Sequence, residues 1–237
     1  MLYIVPTPIG NLEDMTFRAV RILQEAEVVL AEDTRTSKRL LLHYNIATPL
    51  RSHHAHNEHG AVAAIVRQIQ DGANIALISD AGTPGISDPG FLLVRECVRA
   101  GVKVECLPGA TAFVPALVAS GLPCDAFHYE GFLPHKKGRQ TRLIYLSGLA
   151  HTFVLYESPY RLIKCLEQLM AFCGAERMAC VAREISKFHE EVKTDTLENL
   201  HKHFLAKEIK GEIVVVVSGV VNEKNKGREN DDDDDIF

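Results

Sequence analysis

The stretch NIALISDAGTPGISDPG, Asn74–Gly90, decides the fold class. Its apolar run Ile75-Ala76-Leu77-Ile78 stops at Asp80, and three glycines and two prolines follow within nine residues. The run reads as a strand and the remainder as a long strand-to-helix loop. Gly and Pro are ordinary turn residues, but this loop is longer than a turn requires. Gly82 and Gly85 allow the backbone to approach a ligand closely, with N–H groups free to point at it. Asp80 is expected at the carboxyl end of the strand, where open α/β sheets bind ligands. The loop lacks the Lys of a phosphate-binding P-loop and contains no GxGxxG. A cofactor cradle fits it better than a purely phosphate-binding turn.

The same alternation extends on both sides. Strands are expected at Leu2–Val5, Val28–Ala31, Asn74–Ser79 and Lys103–Leu107. Helices are expected at Thr16–Glu25, Thr36–Tyr44, Glu58–Asp71, Phe91–Ala100 and Thr111–Ser120. Strands alternating with helices imply a parallel sheet covered by helices. GLPCDAFHYEGF, Gly121–Phe132, reads as the crossing into a second domain. There, strands are expected at Ala126–Gly131, Thr152–Tyr156, Met178–Arg183 and Glu212–Ser218, with helices at Gly138–Gly148, Tyr160–Phe172 and Leu197–Ala206. The expectation is two α/β domains, residues 1–123 and 124–221, with a cofactor cleft between them.

Composition sets the bounds. The chain has 237 residues, 46% hydrophobic and 24% charged, which is ordinary for a globular protein. No apolar run has the length of a membrane span, and IVVVVSGVV, Ile213–Val221, reads as a buried strand. LYIVP near the amino terminus reads as a first strand and not as a signal peptide. Six cysteines, none in CxxC, suggest buried free thiols and a cytoplasmic protein. The formal net charge is −5. Residues 222–237 hold three basic and seven acidic residues, so a disordered acidic tail carries most of that charge. The nearly neutral body argues against non-specific coating of nucleic acid while permitting a local basic site.

Five further stretches carry more polar detail than a core needs, each at the carboxyl end of an expected strand. They are VPTPIGNLEDMT (Val5–Thr16), AEDTRTSKR (Ala31–Arg39), LPGATAF (Leu107–Phe113), YESPYR (Tyr156–Arg161) and REISKFHEE (Arg183–Glu191). Shared placement points to a composite site. Individually, AEDTRTSKR also fits a capped, solvated helix start, and REISKFHEE fits a salt-bridged edge strand. HKKGRQTR, His135–Arg142, contains Lys136, Lys137, Arg139 and Arg142 and no acid. It is either a solvated loop or a phosphate-contacting patch. SHHAHNEH, Ser52–His59, invites a metal reading, but no HExxH or carboxylate pair completes one. Polar contacts to substrate, or a helix cap at Asn57, are expected in its place, and no metal.

Together with HNE (His56–Glu58) and KGEIVVVV (Lys210–Val217), these motifs resemble the tetrapyrrole methylase superfamily over residues 1–218. Within it they are similar to the branch that methylates the ribose 2′-hydroxyl of a cytidine in small-subunit (16S) ribosomal RNA. The resemblance implies S-adenosylmethionine as donor, a homodimer, and ribosomal RNA or the assembled small subunit as partner. It places the donor against Pro8, Asp80, Gly82, Thr83, Ile86, Thr111 and Ala112, with Tyr156 and Ala182 approaching from the second domain. Many relatives continue into a helical carboxyl-terminal module. Its expected absence here leaves RNA to be gripped by Lys136, Lys137, Arg139, Arg142, Lys38, Arg39 and Arg161, by a second protomer, or by the assembled subunit.

Methyl transfer to a hydroxyl requires alignment and a proton acceptor. Lys187, Glu190 and Asp33 are the expected candidates for that base. Arg35, Arg161 and Arg183 are expected to bind phosphates or orient those acids. Two rival readings stand beside this one. One is another methylase of the superfamily, acting on a porphyrin-like ring or a protein histidine. The other is a non-catalytic ribosome-binding protein, against which the intact glycine loop argues.

Overall fold

The structure is a computed structural model and describes residues 1–54 and 58–220. Asn57, His56 and the acidic run Asp231–Asp235 lie outside the described residues. The chain forms two compact units that divide between Ala112 and Phe113.

The first unit contains β1 (Leu2–Ile4), α1 (Phe17–Glu25), β2 (Val28–Ala31), α2 (Thr34–His43), β3 (Leu50–Ser52), α3 (Glu58–Gln70), β4 (Ile75–Ile78), α4 (Phe91–Arg99) and β5 (Val104–Cys106). The sheet order is β3-β2-β4-β1-β5, and every pairing is parallel. All four residues of β4 are buried, as a strand covered on both faces demands. Ala76 and Ile78 pack with Ile22, Leu23 and Leu41, while Ile75 and Leu77 pack with Val62, Ile65 and Leu93. Side chains alternate across a strand, so one apolar run serves two helical layers. Thr16 caps α1 by accepting the Ala19 N–H at 3.0 Å. Edge strand β3 was not expected: it has three residues and no fully buried position to mark it.

The second unit contains α5 (Phe113–Ala119), β6 (Phe127–Phe132), α6 (Arg139–Ser147), β7 (Thr152–Glu157), α7 (Leu162–Cys173), β8 (Met178–Arg183), β9 (Glu191–Thr196), α8 (Leu197–Leu205) and β10 (Ile213–Val217). Its sheet order is β6-β7-β10-β8-β9; β6 and β7 are parallel and the other pairs antiparallel. The valine run forms the central strand, buried throughout. Leu143, Leu166, Leu169, Leu200 and Phe204 cover one face. Helix α5 packs against β7 and β10, so it belongs with this sheet, whereas a boundary at residue 123 would have left it with the first. Strand β9, EVKTDT, was also unforeseen, because charges at alternate positions hide an edge strand that needs only backbone pairing.

Among the described residues no helix is long and apolar enough to cross a membrane. The six cysteines are free thiols, but Cys106 and Cys124 are exposed rather than buried.

Candidate functional site

Because the first sheet is wholly parallel, the carboxyl ends of its strands lie along one edge. The loops leaving β4, β1 and β5, neighbours in the sheet, are tied together there. The Thr7 N–H donates to the Gly82 carbonyl at 2.9 Å, and the Gly82 N–H returns a bond to the Thr7 carbonyl at 2.9 Å. The Thr7 hydroxyl donates to the Ser79 carbonyl at 3.1 Å, and the Thr83 hydroxyl to the Ala110 carbonyl at 3.0 Å. Gly82 has φ +79°, a conformation strained for any side chain. Its N–H is committed to Thr7 and does not point at a ligand, contrary to expectation. The glycine serves the turn that knots two loops. Gly109 serves close approach, since a Cβ there would lie 2.7 Å from Cβ of Pro6. Pro8, Gly82, Thr83, Ile86, Thr111 and Ala112 therefore stand on one framework, with Ile86 exposed.

Between β2 and β4 the edge is acidic. The Asp33 N–H donates to Asp80 Oδ1 at 3.2 Å. The Asp33 carboxylate caps α2 through the Arg35 N–H at 2.8 Å and grips the Arg35 guanidinium at 2.6 Å. That guanidinium holds the Asp33 carboxyl down at about 2, which makes it a weak proton acceptor. Glu32 behaves oppositely. Burial, and then the charge of Asp80, push its carboxyl above the usual range. A cleft of about 360 Å³ opens beside these groups, lined by Thr7, Pro8, Ser37, Arg39, Ser79 and Asp80 among others. The Ser37 hydroxyl is buried without a hydrogen-bond partner among the described residues. Such an orphan is what a polar ligand or water satisfies. A larger groove, about 570 Å³, runs between α3 and α4 and holds none of the strand-end residues.

The second sheet has its own edge. β7 and β8 both run antiparallel to β10, so their carboxyl ends lie on the same side as that of β6. Glu157, whose side chain is 1% exposed, accepts from Arg161 at 2.7 Å and from Arg139 at 3.4 Å. Arg139 was expected to bind RNA. It is buried instead, donating also to Gln168 at 2.8 Å and to the Pro134 carbonyl at 3.3 Å. A charge in that position is structural. Arg142 is likewise engaged by Glu130 and lies over the Tyr145 ring at 4.7 Å. Arg161 also meets His135 Nδ1 at 3.0 Å. Lys136 and Lys137 are exposed with no side-chain partner among the described residues, as are Lys38 and Arg39 on α2.

REISKFHEE connects β8 to β9 as a salt-bridged turn. Lys187 Nζ sits 2.8 Å from Glu184 Oε1 and 2.9 Å from Glu212 Oε2. Burial works to lower its pKa, but those two carboxylates outweigh it and hold the ammonium above its ordinary range. A clamped ammonium is poorly suited to accept a proton. Glu190 accepts the Ser186 N–H at 2.6 Å, and Arg183 reaches Glu191 at 3.3 Å and the Lys210 carbonyl at 3.2 Å. Tyr156 lies in a row of rings, 5.5 Å from both Tyr129 and Phe132. Ala182 is fully buried in the sheet opposite Val214, so its side chain is not open to a ligand. Among the described residues no group of three His, Cys, Asp or Glu could hold a metal ion.

Residues 1–201 match the tetrapyrrole (corrin/porphyrin) methylases. The chain belongs to this family. Among relatives of this tetrapyrrole methylase chain is a Ribosomal RNA small subunit methyltransferase I from Synechocystis, 48% identical over 94% of this chain and 80% of its own length. The family fold recurs in a diphthine synthase structure, with TM-score 0.72 at 17% identity, covering 92% of this chain and 89% of the other. It recurs also in a uroporphyrin-III C-methyltransferase from Thermus thermophilus complexed with S-adenosyl homocysteine, with TM-score 0.62 at 20% identity, covering 92% and 96%.

The sequence alone assigned no role to three residues at these two edges, Glu157 in the second unit and Glu32 and Ser37 in the first. Glu157 stood in plain view within YESPYR, and an Arg four residues on was the available signal. Glu32 and Ser37 gave none, because burial sets the first and an empty hydrogen-bonding position sets the second.

Proposed function

We propose that this protein is an S-adenosylmethionine-dependent methyltransferase of the ribose 2′-hydroxyl of a cytidine in small-subunit (16S) ribosomal RNA, working as a cytoplasmic homodimer. What carries the reading is near-half identity, over almost the whole chain, to a relative named for small-subunit ribosomal RNA methylation. The residues present fit the donor. An exposed Asp80 carboxylate can accept from a hydroxyl or amino group, and the unpartnered Ser37 hydroxyl lies in the same cleft. Pro8 lines that cleft, and Thr83, bonded to the Ala110 carbonyl, stands with Ile86, Thr111 and Ala112 on neighbouring loops of the same edge.

When bound, the sulfonium cofactor supplies an activated methyl group, so the difficult chemistry is its own. The chain must align the ribose hydroxyl and take its proton. We assign the proton to Glu32, which follows β2 next to Asp33 at the acidic edge where the Asp33 N–H bonds Asp80, and whose raised proton affinity suits general-base work better than Asp33, paired with Arg35, or Lys187, clamped by two glutamates. Glu190 is occupied in holding the Ser186 turn, and Arg183 in holding Glu191. Lys38, Arg39, Lys136 and Lys137 are the cations available to RNA phosphates.

The test is a methylation assay with radiolabelled donor offered small ribosomal subunits, free ribosomal RNA and tetrapyrrole precursors. Label is expected in RNA and at a ribose. Label confined to a tetrapyrrole, or to none of the three, overturns the reading.

A further inference from the structure

Phe188 and Tyr160 are each 96% exposed, on loops that are otherwise tightly fastened. Isolated exposed aromatics are common and need no explanation. What sets these two apart is how rigidly their backbones are held. Phe188 follows Ser186, at φ +66°, and Glu184, at φ +53°, both non-glycine residues in the left-handed region. The Lys187–Glu184–Glu212 bridges and the Glu190 to Ser186 N–H bond lock that turn. Tyr160 is fixed by its N–H to the Ser158 hydroxyl at 3.3 Å and by the Arg161 N–H to the Ser158 carbonyl at 2.9 Å. Its neighbour Arg161 is anchored on the buried Glu157. Each ring stands in water on a pedestal of ion pairs.

The two pedestals share one edge at one level. Glu157, three residues before Tyr160, and Arg183, five before Phe188, both pair in register with Ile213 of β10. One strand separates theirs, so the loops leave the sheet about 10 Å apart. The neighbouring loop after β6 carries Lys136 and Lys137 and is tied to Tyr160's loop through the Arg161–His135 contact at 3.0 Å. Lys187 offsets one of the two carboxylates Glu184 and Glu212 at this edge, and Lys136 and Lys137 enter no ion pair among the described residues.

We propose that Phe188 and Tyr160 are stacking platforms for unpaired RNA bases, with Lys136 and Lys137 holding the adjoining phosphates. Aromatic faces accept any base, and cations beside them follow the backbone, a pairing typical of single-strand recognition. The edge therefore takes a splayed, single-stranded segment and not a duplex, whose bases are unavailable to stack. This rests on the ribosomal RNA reading and names the part of the protein that grips the substrate.

The experiment uses the full chain, Phe188→Ala, Tyr160→Ala, Tyr160→Phe and the Lys136→Met/Lys137→Met pair. Binding of a short single-stranded RNA oligonucleotide and of its duplex is measured across salt, together with KM and kcat on small ribosomal subunits. Each alanine variant should weaken single-strand binding and raise KM by about tenfold or more, since a stacked base is worth ~1–3 kcal/mol. The salt slope should stay unchanged, while Tyr160→Phe binds as wild type. The lysine pair should instead flatten the salt slope. Affinities within twofold of wild type in both alanine variants overturn the proposal, as does equal binding of duplex and single strand by wild type. A change of oligomeric state on sedimentation of Phe188→Ala also overturns it, by making that face a contact between copies. If wild type methylates no RNA, the functional reading fails separately, and the oligonucleotide arm still decides the stacking.

Discussion

Replacing Glu157 by Gln removes one charge and almost no volume from the Arg139–Glu157–Arg161 cluster. The side chains of Glu157 and Arg139 are 1% and 9% exposed, against 24% for Arg161. Gln can still accept the Ser158 N–H that Glu157 now accepts at 2.8 Å, so backbone support survives. What is lost is the counter-charge of a buried guanidinium, and the new amide brings N–H donors toward the donors of Arg139. Stranding a buried charge costs roughly 3–5 kcal/mol. For a chain of this size that corresponds to a fall in Tm of about 6–20 °C. The assay is thermal and denaturant unfolding of Glu157→Gln beside the double variant Arg139→Met/Glu157→Leu. Removing both charges restores an apolar filling, and the double variant should recover at least half of the single variant's loss. A Glu157→Gln protein within about 1 kcal/mol of wild type would refute the argument, because 1 kcal/mol is what an exposed pair is worth. So would a double variant less stable than the single one.

Lys187→Met should lower stability while leaving the single-turnover methylation rate within a few-fold of wild type; a loss of two or more orders of magnitude would return Lys187 to the role of base. Glu32→Gln should do the reverse, with a rate loss of about two to four orders of magnitude in single-turnover kinetics and an unchanged unfolding midpoint. The Glu191 carboxyl is pushed up by burial but brought down to about 2 by Lys207, His203 and Arg183, from an ordinary 4.5. A depressed carboxylate stabilises the fold above its unfolded pKa, so stability should be level above pH 4.5 and fall as pH drops toward 2. Acid titration of Glu191→Gln should show a shallower fall; an identical curve would exclude this group. Gly109→Ala should cost about 1–3 kcal/mol in denaturant unfolding, since its Cβ would lie 2.7 Å from that of Pro6 and the ring cannot swing aside.

The order of strands and helices was legible in the sequence wherever an element buries a periodic or continuous apolar run. β4, β10 and α7 are such elements, and their apolar residues have one low-energy place to go. β3 and β9 were not legible, because an edge strand is defined by a partner's backbone and needs no apolar signature of its own. The loops that gather at the strand ends could also be read, since a parallel sheet puts its carboxyl ends on one side whatever their sequences. Which charges in those loops are free could not. Arg139 and Lys137 sit two residues apart in one basic run, yet the first is swallowed by Glu157 and Gln168 and the second stands in water. Lys187 resembles a candidate base until Glu184 and Glu212, the latter 25 residues away in the chain, are found clamping it. Periodicity reports burial, which is a property of an element by itself. Charge pairing depends on distances of a few ångströms between loops brought together only when the sheets close, and the tertiary structure alone decided it.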